Sequence, residues 1–228
     1  MGLATAGPLT LVRIAALERR PRSRRVKCHL EGGQAIFLAQ EVSDRFQLRV
    51  GVELDDDELE ELRAAQARHQ ALESALRLLS YRPRSESEIR TRLRRAGVPE
   101  DVRNETIERL RGAGLIDDES FARDWVDGRQ SRSPRGRRLL ASELRAQGIE
   151  RQILESAVAG VDDFESAYRA AERRAGSLKS LPKQQFRQRL SGFLLRRGFD
   201  YETVRKTVAT LWEEQKGDFD NPSDSSFD

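Results

Sequence analysis

A single cysteine, Cys28, leaves this 228-residue chain without an internal disulfide framework and suits a reducing compartment. Histidine is nearly as scarce: His29 and His69 are the only two, and neither has a ligand partner at metal-binding spacing. Aromatic residues make up 6% of the chain and fall mainly on presumed core faces, which argues against a base-stacking surface. No apolar run approaches the roughly 20 residues of a membrane span, and the amino terminus lacks the basic-then-apolar order of a signal peptide. Gly-rich phosphate loops, a nucleophile elbow and a zinc-binding His pair are all missing. Together these absences predict a soluble, cytoplasmic, monomeric protein with no catalytic residues, no metal and no cofactor.

The nearest approaches to chemistry have plainer explanations. Cys28 stands beside His29, but neighbours in a strand point to opposite faces and cannot form a dyad. Asp117-Asp118 could be imagined as an acid or metal pair, yet it directly precedes an apolar helical pattern starting at Phe121. That place suits an N-terminal cap, where the helix dipole favours negative charge.

What the chain does have is a repeat. Around Gly97, Gly148 and Gly198, Leu93, Leu144 and Leu194 lie four residues before the glycine, and Val98, Ile149 and Phe199 directly after it. Ile107, Val158 and Val208 lie ten residues after, and Leu110, Val161 and Leu211 thirteen after, giving periods of 51 and then 50 residues. Four coincident apolar positions in three copies mark stacked supersecondary units that bury a shared core. A glycine that closes a helix takes the left-handed conformation, and the residue after it packs back on the residue four before it. Each copy therefore reads as helix, tight turn, helix.

A further helix precedes each pair, carried by Leu72, Ala75, Leu76 and Leu79, by Phe121, Ala122, Trp125 and Val126, and by Phe164, Ala167, Tyr168 and Ala171. Ser85 with Glu88 has capping-box spacing, and Pro134 and Pro182 suit a first helical turn. Nine main helices follow. Phe121, Trp125 and Leu144 are expected in the core of the second unit. With 37% hydrophobic and 35% charged residues, the composition fits small units in an open row better than one globule.

The ends differ from the middle. Residues 9–17, 24–30 and 35–38 are short β-like runs, with Gly32-Gly33 as a hairpin signal and 21–25 as a basic loop. Residues 41–46 suggest one helical turn, and the acidic run at 53–61 opens a long helix to about Leu79. The expected fold is mainly α: three tandem three-helix repeats in an extended, curved array, preceded by a small β-hairpin or three-stranded region. Its boundaries are 1–54 for the sheet, 55–112, 113–161 and 162–214 for the repeats, and 215–228 for a disordered acidic tail.

Formal net charge is only +3, but arginine recurs at comparable places in the copies. The candidate binding residues are Arg82, Arg84, Arg90 and Arg94 in the first copy, and Arg129, Arg132, Arg135, Arg137 and Arg138 in the second. Arg189, Arg196 and Arg197 complete the set in the third. Such a basic strip suits phosphates or an acidic protein groove, with Arg135 and Arg138 expected on one side of their helix.

The segment Gly114-Leu115-Ile116-Asp117-Asp118-Glu119-Ser120-Phe121-Ala122-Arg123-Asp124-Trp125-Val126 closely resembles the signature of the RecX family, bacterial regulators of the RecA recombinase. Arg129, Pro134-Arg135-Gly136, Glu143-Leu144 and Gly148-Ile149 continue the pattern. So does the first copy, from Ala75-Leu76-Arg77-Leu78-Leu79-Ser80 to Ser85-Glu86-Ser87-Glu88 and Leu93; the third copy diverges more. The resemblance implies a non-enzyme that binds the RecA nucleoprotein filament on single-stranded DNA. There it would limit ATP hydrolysis, strand exchange and SOS co-protease activity, and so act in DNA repair and recombination. The alternatives are an autonomous DNA-binding protein using helix-turn-helix-like pairs, or a helical-repeat scaffold for another partner.

Overall fold

A computed structural model of the chain describes residues 11–19 and 24–220. Three expectations therefore lie partly outside the described residues: the start of the first strand at residue 9, most of the basic loop, and the tail from 221. The chain divides into two compact units, Met1–Arg84 with Ile89–Leu115, and Ser85–Glu88 with Ile116–Asp228.

In the first unit, β1 (Val12–Arg19), β2 (Arg25–Leu30) and β3 (Ala35–Ala39) form an antiparallel meander, and Gly32 and Gly33 turn the second hairpin with φ of 93° and 85°. A two-residue strand, β4 (Glu53–Leu54), adds to the free side of β1, so the sheet has four strands in the order β3-β2-β1-β4 rather than three. Alternation places Val26, Cys28 and Leu30 inward, and burial pushes the Cys28 thiol upward, away from the reactive thiolate. His29, on the other face, meets Glu18 Oε1 at 2.8 Å, so the adjacent pair is no dyad.

The single turn α1 (Gln40–Arg45) follows, and then α2 (Asp56–Tyr81), which starts on a complete capping box between Asp55 and Glu58. Leu59, Leu62 and Ala65 of α2 pack into the sheet core with Ile14, Leu38 and Leu54. The sheet thus shares a compact unit with the first helices instead of standing alone. Gln66 Oε1 accepts the Ala39 amide at 2.7 Å and satisfies the start of α1. Further along α2, Ala71 and Ala75 are the buried residues, while Leu76 is 41% exposed. Helices α3 (Glu86–Arg95) and α4 (Glu100–Gly112) complete the first triplet, burying Ile89, Leu93, Ile107 and Leu110.

The second unit holds α5 (Asp118–Arg132), α6 (Arg137–Ala146), α7 (Arg151–Ala159), α8 (Asp163–Gly176), α9 (Lys183–Arg196) and α10 (Tyr201–Asp220). Its two cores are separate. Phe121, Ala122, Leu140, Leu144 and Leu154 form one, and Ala167, Phe186, Leu190, Phe199 and Val208 the other. Two expected details differ. Pro182 is the residue before α9, but Pro134 lies three residues ahead of α6, because Gly136 takes the capping place. Residues 215–220, expected in the tail, belong to α10, which runs through Gly217 to Asp220, since one glycine costs a helix only about 1 kcal/mol. Among the described residues, no helix is long and apolar enough to cross a membrane.

The repeated glycines behave as the spacing requires. Gly97, Gly148 and Gly198 have φ of 77°, 78° and 83°, and the following amides of Val98, Ile149 and Phe199 donate back to the carbonyls of Leu93, Leu144 and Leu194. Their surroundings are not alike. A Cβ on Gly97 meets open space, on Gly148 it collides with the Ser87 side chain, and on Gly198 it falls 2.8 Å from the Leu139 backbone nitrogen. Alanine at Gly97 should therefore cost only the left-handed strain, about 1–2 kcal/mol. Alanine at Gly148 and at Gly198 should add an overpacking cost of about 1–3 kcal/mol, largest at Gly198 where backbone must move. Denaturation midpoints falling in the order Gly97→Ala, Gly148→Ala, Gly198→Ala check this, and equal losses contradict it.

Candidate partner-binding surface

The expected arginine strip separates into two populations once side chains are placed. The first is organised by Glu143 on α6, whose carboxylate is 16% exposed. It accepts from Arg129 Nε at 3.1 Å and Trp125 Nε1 at 3.0 Å, and pairs with the Arg135 guanidinium. Trp125 and Arg129 stand four apart on α5, so they share a face, and the Arg129 guanidinium stacks 4.6 Å from the indole centroid. Gln130 Nε2 donates to the Arg135 carbonyl at 2.8 Å and pins the loop. Burial, and then the neighbouring charges of Arg129 and Arg197, hold the Arg135 guanidinium below its ordinary value.

Two expectations change here. Trp125 is half-buried beside a salt-bridge cluster rather than sealed in the core, whereas Phe121 and Leu144 are buried. Arg135 precedes α6 and faces Glu143, so it does not project with Arg138 from one helical side.

Asp163 organises a second cluster. Its Oδ1 accepts the backbone amide of Arg137 at 2.9 Å and its Oδ2 the Arg137 Nε at 3.2 Å. The residue before it, Asp162, caps α8 through the amides of Phe164 and Glu165. Asp117 and Asp118 divide the work in the same way. Asp117 accepts from the Glu119 and Ser120 amides to cap α5, while Asp118 Oδ1 takes the amide of Glu86 at 2.9 Å. Both members of the pair are thus helix caps, for two different helices. The signal for the second pair lies in the repeat itself, since Asp117-Asp118 and Asp162-Asp163 each follow an apolar residue and precede a phenylalanine.

Arg197 donates to Ser133 Oγ at 2.7 Å and the Pro134 carbonyl at 3.2 Å, and lies 4.5 Å from the Phe193 ring centroid. In the first unit, Arg90 bonds Asn104, Arg82 the Pro83 carbonyl and Arg84 the Leu78 carbonyl. The second population faces solvent: Arg94 on α3, Arg132 at the end of α5, Arg138 on α6, and Arg189 and Arg196 on α9. None of these five has a carboxylate within ion-pair distance among the described residues. Sequence reasoning overlooked Arg169, Arg173 and Arg174 on α8, which line a cleft of about 580 Å³ within the second unit together with Arg132 and Arg197. The spacing of Arg169 and Arg173 by four residues was the available signal. Among the described residues, no group of three His, Cys, Asp or Glu is placed to hold a metal ion.

Successive three-helix modules, each with a left-handed glycine between its second and third helices and with arginine left outward on the second helices, define a helical-repeat protein. Family models for the first, second and third three-helix domains of RecX match residues 71–110, 117–158 and 161–208. The chain belongs to the RecX family. It is 35% identical to regulatory protein RecX of Mycolicibacterium smegmatis over 158 residues, covering 64% of this chain and 84% of that one. With regulatory protein RecX of Geobacillus kaustophilus it shares 29% identity over 205 residues, 88% of this chain and 76% of the relative. A crystal structure of regulatory protein RecX superposes with a TM-score of 0.65 at 26% identity, covering 86% of this chain and 98% of that one. RecX from Lactobacillus salivarius gives 0.59 at 26% identity, over 64% and 97% of the two chains. This is a family of regulatory proteins.

Two outcomes follow from the clusters. Glu143→Ala leaves two guanidiniums and an indole N–H without their acceptor and should lower stability by about 2–3 kcal/mol, at the reduced end of the buried-pair range because the site is partly exposed. Thermal melting checks it, and an unchanged midpoint contradicts it. Hydrogen bonds from Ser120 hold the Asp117 carboxyl below the usual carboxylate range, and those from Thr203 do the same for Asp200. A depressed folded pKa means stabilisation that is complete above the unfolded value of about 3.9 and lost as pH falls through the folded one. The double change Asp117→Asn and Asp200→Asn should therefore flatten the acid limb of stability below about pH 4 while leaving the slope near neutrality unchanged.

Proposed function

We propose that this chain is a non-enzymatic regulator that binds the RecA nucleoprotein filament and inhibits its ATPase, strand exchange and co-protease activities. The observation that carries the reading is the division among the arginines. Seven of the twelve candidates, Arg82, Arg84, Arg90, Arg129, Arg135, Arg137 and Arg197, are engaged within the fold. Arg94, Arg138, Arg189 and Arg196 remain exposed on the second helices of all three modules. Repeated outward cations without acidic partners suit an extended acidic partner more than intramolecular stability, to which isolated surface charges add little. RecX family membership supports RecA as that partner. The proposed regions are the sheet at 1–54, modules at 55–112, 113–161 and 162–214, and an acidic segment at 215–228 whose first six residues lie in α10.

Reversing Arg138 and Arg189 to Glu should raise the concentration needed for half-inhibition of RecA ATPase by about tenfold or more, a loss of at least 1.4 kcal/mol of binding. Helix content and melting should stay as in the parent, because neither side chain has an acidic partner to lose among the described residues. A folded double variant that inhibits as well as the parent sinks the reading. Arg135→Glu is the wrong probe: it places a carboxylate against Glu143 and should unfold the loop whether or not Arg135 meets a partner.

Autonomous nucleic-acid binding is the second reading, favoured by the basic cleft of the second unit.

A further inference from the structure

The sheet of the first unit ends differently at its two edges. On one side β4 is two residues long and carries Glu53, a short, charged edge of the kind that resists further pairing. On the other, β3 reads Ala35-Ile36-Phe37-Leu38-Ala39, with neither charge nor proline, and Phe37 is 61% exposed. The Leu30 amide donates to the Gln34 carbonyl at 2.9 Å and the Gln40 amide to the Arg24 carbonyl at 2.8 Å. Hydrogen-bonded pairs alternate along an antiparallel ladder, so the bonded pairs between are Cys28 with Ile36 and Val26 with Leu38. The N–H and C=O groups of Ala35 and Phe37 therefore point away from β2, and among the described residues no strand pairs with that side. The Ala39 amide points the same way, but Gln66 Oε1 takes it at 2.7 Å, which marks where an added strand must stop.

Beside this edge runs a groove of about 450 Å³, walled by Phe37 and Ala39 on β3 and by Leu72 and Leu76 on α2. Leu76, 41% exposed, and Phe37 give it an apolar lining that water meets directly. Its two carboxylates have partners within the fold, Glu41 in His69 Nε2 at 4.0 Å and Glu73 in Arg77 at 3.8 Å. Arg24 is different: its backbone is fixed by Gln40, yet its side chain has no carboxylate in ion-pair distance among the described residues. The groove thus joins an unused strand edge to apolar walls and one unanswered cation. A second copy of the chain fits it poorly. Two β3 strands paired antiparallel are related by an axis perpendicular to the sheet, so the α2 of each copy lies on the same face and both helices meet the same groove.

We propose that the free edge of β3 and the adjoining face of α2 bind an extended peptide of a partner protein by strand addition, the peptide being apolar at alternate positions with a carboxylate at its amino-terminal end. Antiparallel addition is the more stable pairing and places that end beside Arg24. Peptide residues bonded to Ala35 and Phe37 carry their side chains on the outer face with Phe37, and the residues between them point toward Leu72 and Leu76. The site lies in the first unit, shares no residue with the outward arginines of the proposed function, and goes beyond that reading.

The test titrates the full chain into a labelled hexapeptide that begins with aspartate and then alternates threonine and valine, read by fluorescence anisotropy. Saturable binding with a Kd below about 1 mM is expected. N-methylation of the threonine amides, which face β3, should weaken it by about tenfold or more, and N-methylation of the valine amides by less than about threefold. Ala35→Pro removes one outward N–H at the first residue of a strand, where proline is tolerated, so the circular dichroism should stay while binding falls about tenfold. Arg24→Glu should instead exchange the preference, favouring a peptide that begins with lysine. Hydrogen exchange needs no variant: the Ala35 and Phe37 amides should exchange freely in the chain alone and about tenfold more slowly at saturation. No saturable binding up to about 1 mM, or equal losses from the two methylated peptides, overturns the site. So does a chain that sediments as a dimer and becomes monomeric on Ala35→Pro without binding the peptide, in favour of a second copy.

Discussion

The second unit depends on a place where two backbones come closer than side chains would allow. The Gly136 amide donates to the Arg197 carbonyl at 2.9 Å, and a Cβ at Gly136 would fall 2.5 Å from the Gly198 carbonyl oxygen. Neither position tolerates a larger residue, for different reasons: Gly136 is crowded, while Gly198 is both crowded and left-handed. Beside this contact Asp163 fixes the first amide of α6, and Arg197 reaches across to Ser133 and Pro134. The separate cores of α5–α7 and α8–α10 are therefore tied by polar and backbone contacts, with apolar burial left to each module. A comparable docking recurs where Ser85 Oγ donates to the Gln147 carbonyl at 2.7 Å and Gly148 lies against Ser87. In both, the segment before a second helix meets the turn around the capping glycine of the next copy, 62 positions on from Ser85 to Gln147 and likewise from Gly136 to Gly198, so the spacing of the copies is held alike at the two places.

That tying scheme consumes charge. Glu143 and Asp163 each hold arginine while serving a structural end, and Arg197 spans a loop that contains no acid. A basic cluster in the sequence consequently mixes arginines that brace the fold with arginines left outward without an acidic partner among the described residues. Counting them gives no guide to affinity; their partners do. The modest net charge of +3 is compatible with this, because the outward cations are local excesses set against acidic helix starts such as the capping box of α2.

The architecture was legible because its determinants are local. Glycine spacing, apolar periodicity and the aspartate before Phe121 each act within a helical turn, and each predicted what the backbone does at Gly97, Gly148, Gly198 and Asp117. What was not legible depends on separation along the chain. Strand β4 is two residues whose only reason to be a strand is β1, and Pro134 lies outside its helix because Gly136 must approach Gly198. Trp125 carries the same lesson: its periodicity points to the core, yet its indole N–H needs Glu143, eighteen residues away, and the ring stops at the boundary. For the candidate surface the sequence supplied residue type and neighbourhood, but could not tell Arg138 from Arg137, because the difference is an aspartate in the next module.

The aspartate pairs show how one short motif can carry both folding and assembly. Asp117 and Asp162 act within their own helices, whereas Asp118 and Asp163 accept amides at the starts of α3 and α6. Removing the first member of a pair weakens one helix start; removing the second leaves a distant helix with an uncompensated amide, for Asp163 at the point where the two modules of the second unit meet. The two losses differ in kind, since the first frays an element and the second loosens a junction. A partner that reads arginines from more than one module requires the junctions to be stiff, or its contacts would have to order the modules at an entropic cost on binding. Within the second unit, Asp163 is therefore where the stability of the fold and the spacing of the outward arginines on α6 and α9 become one problem.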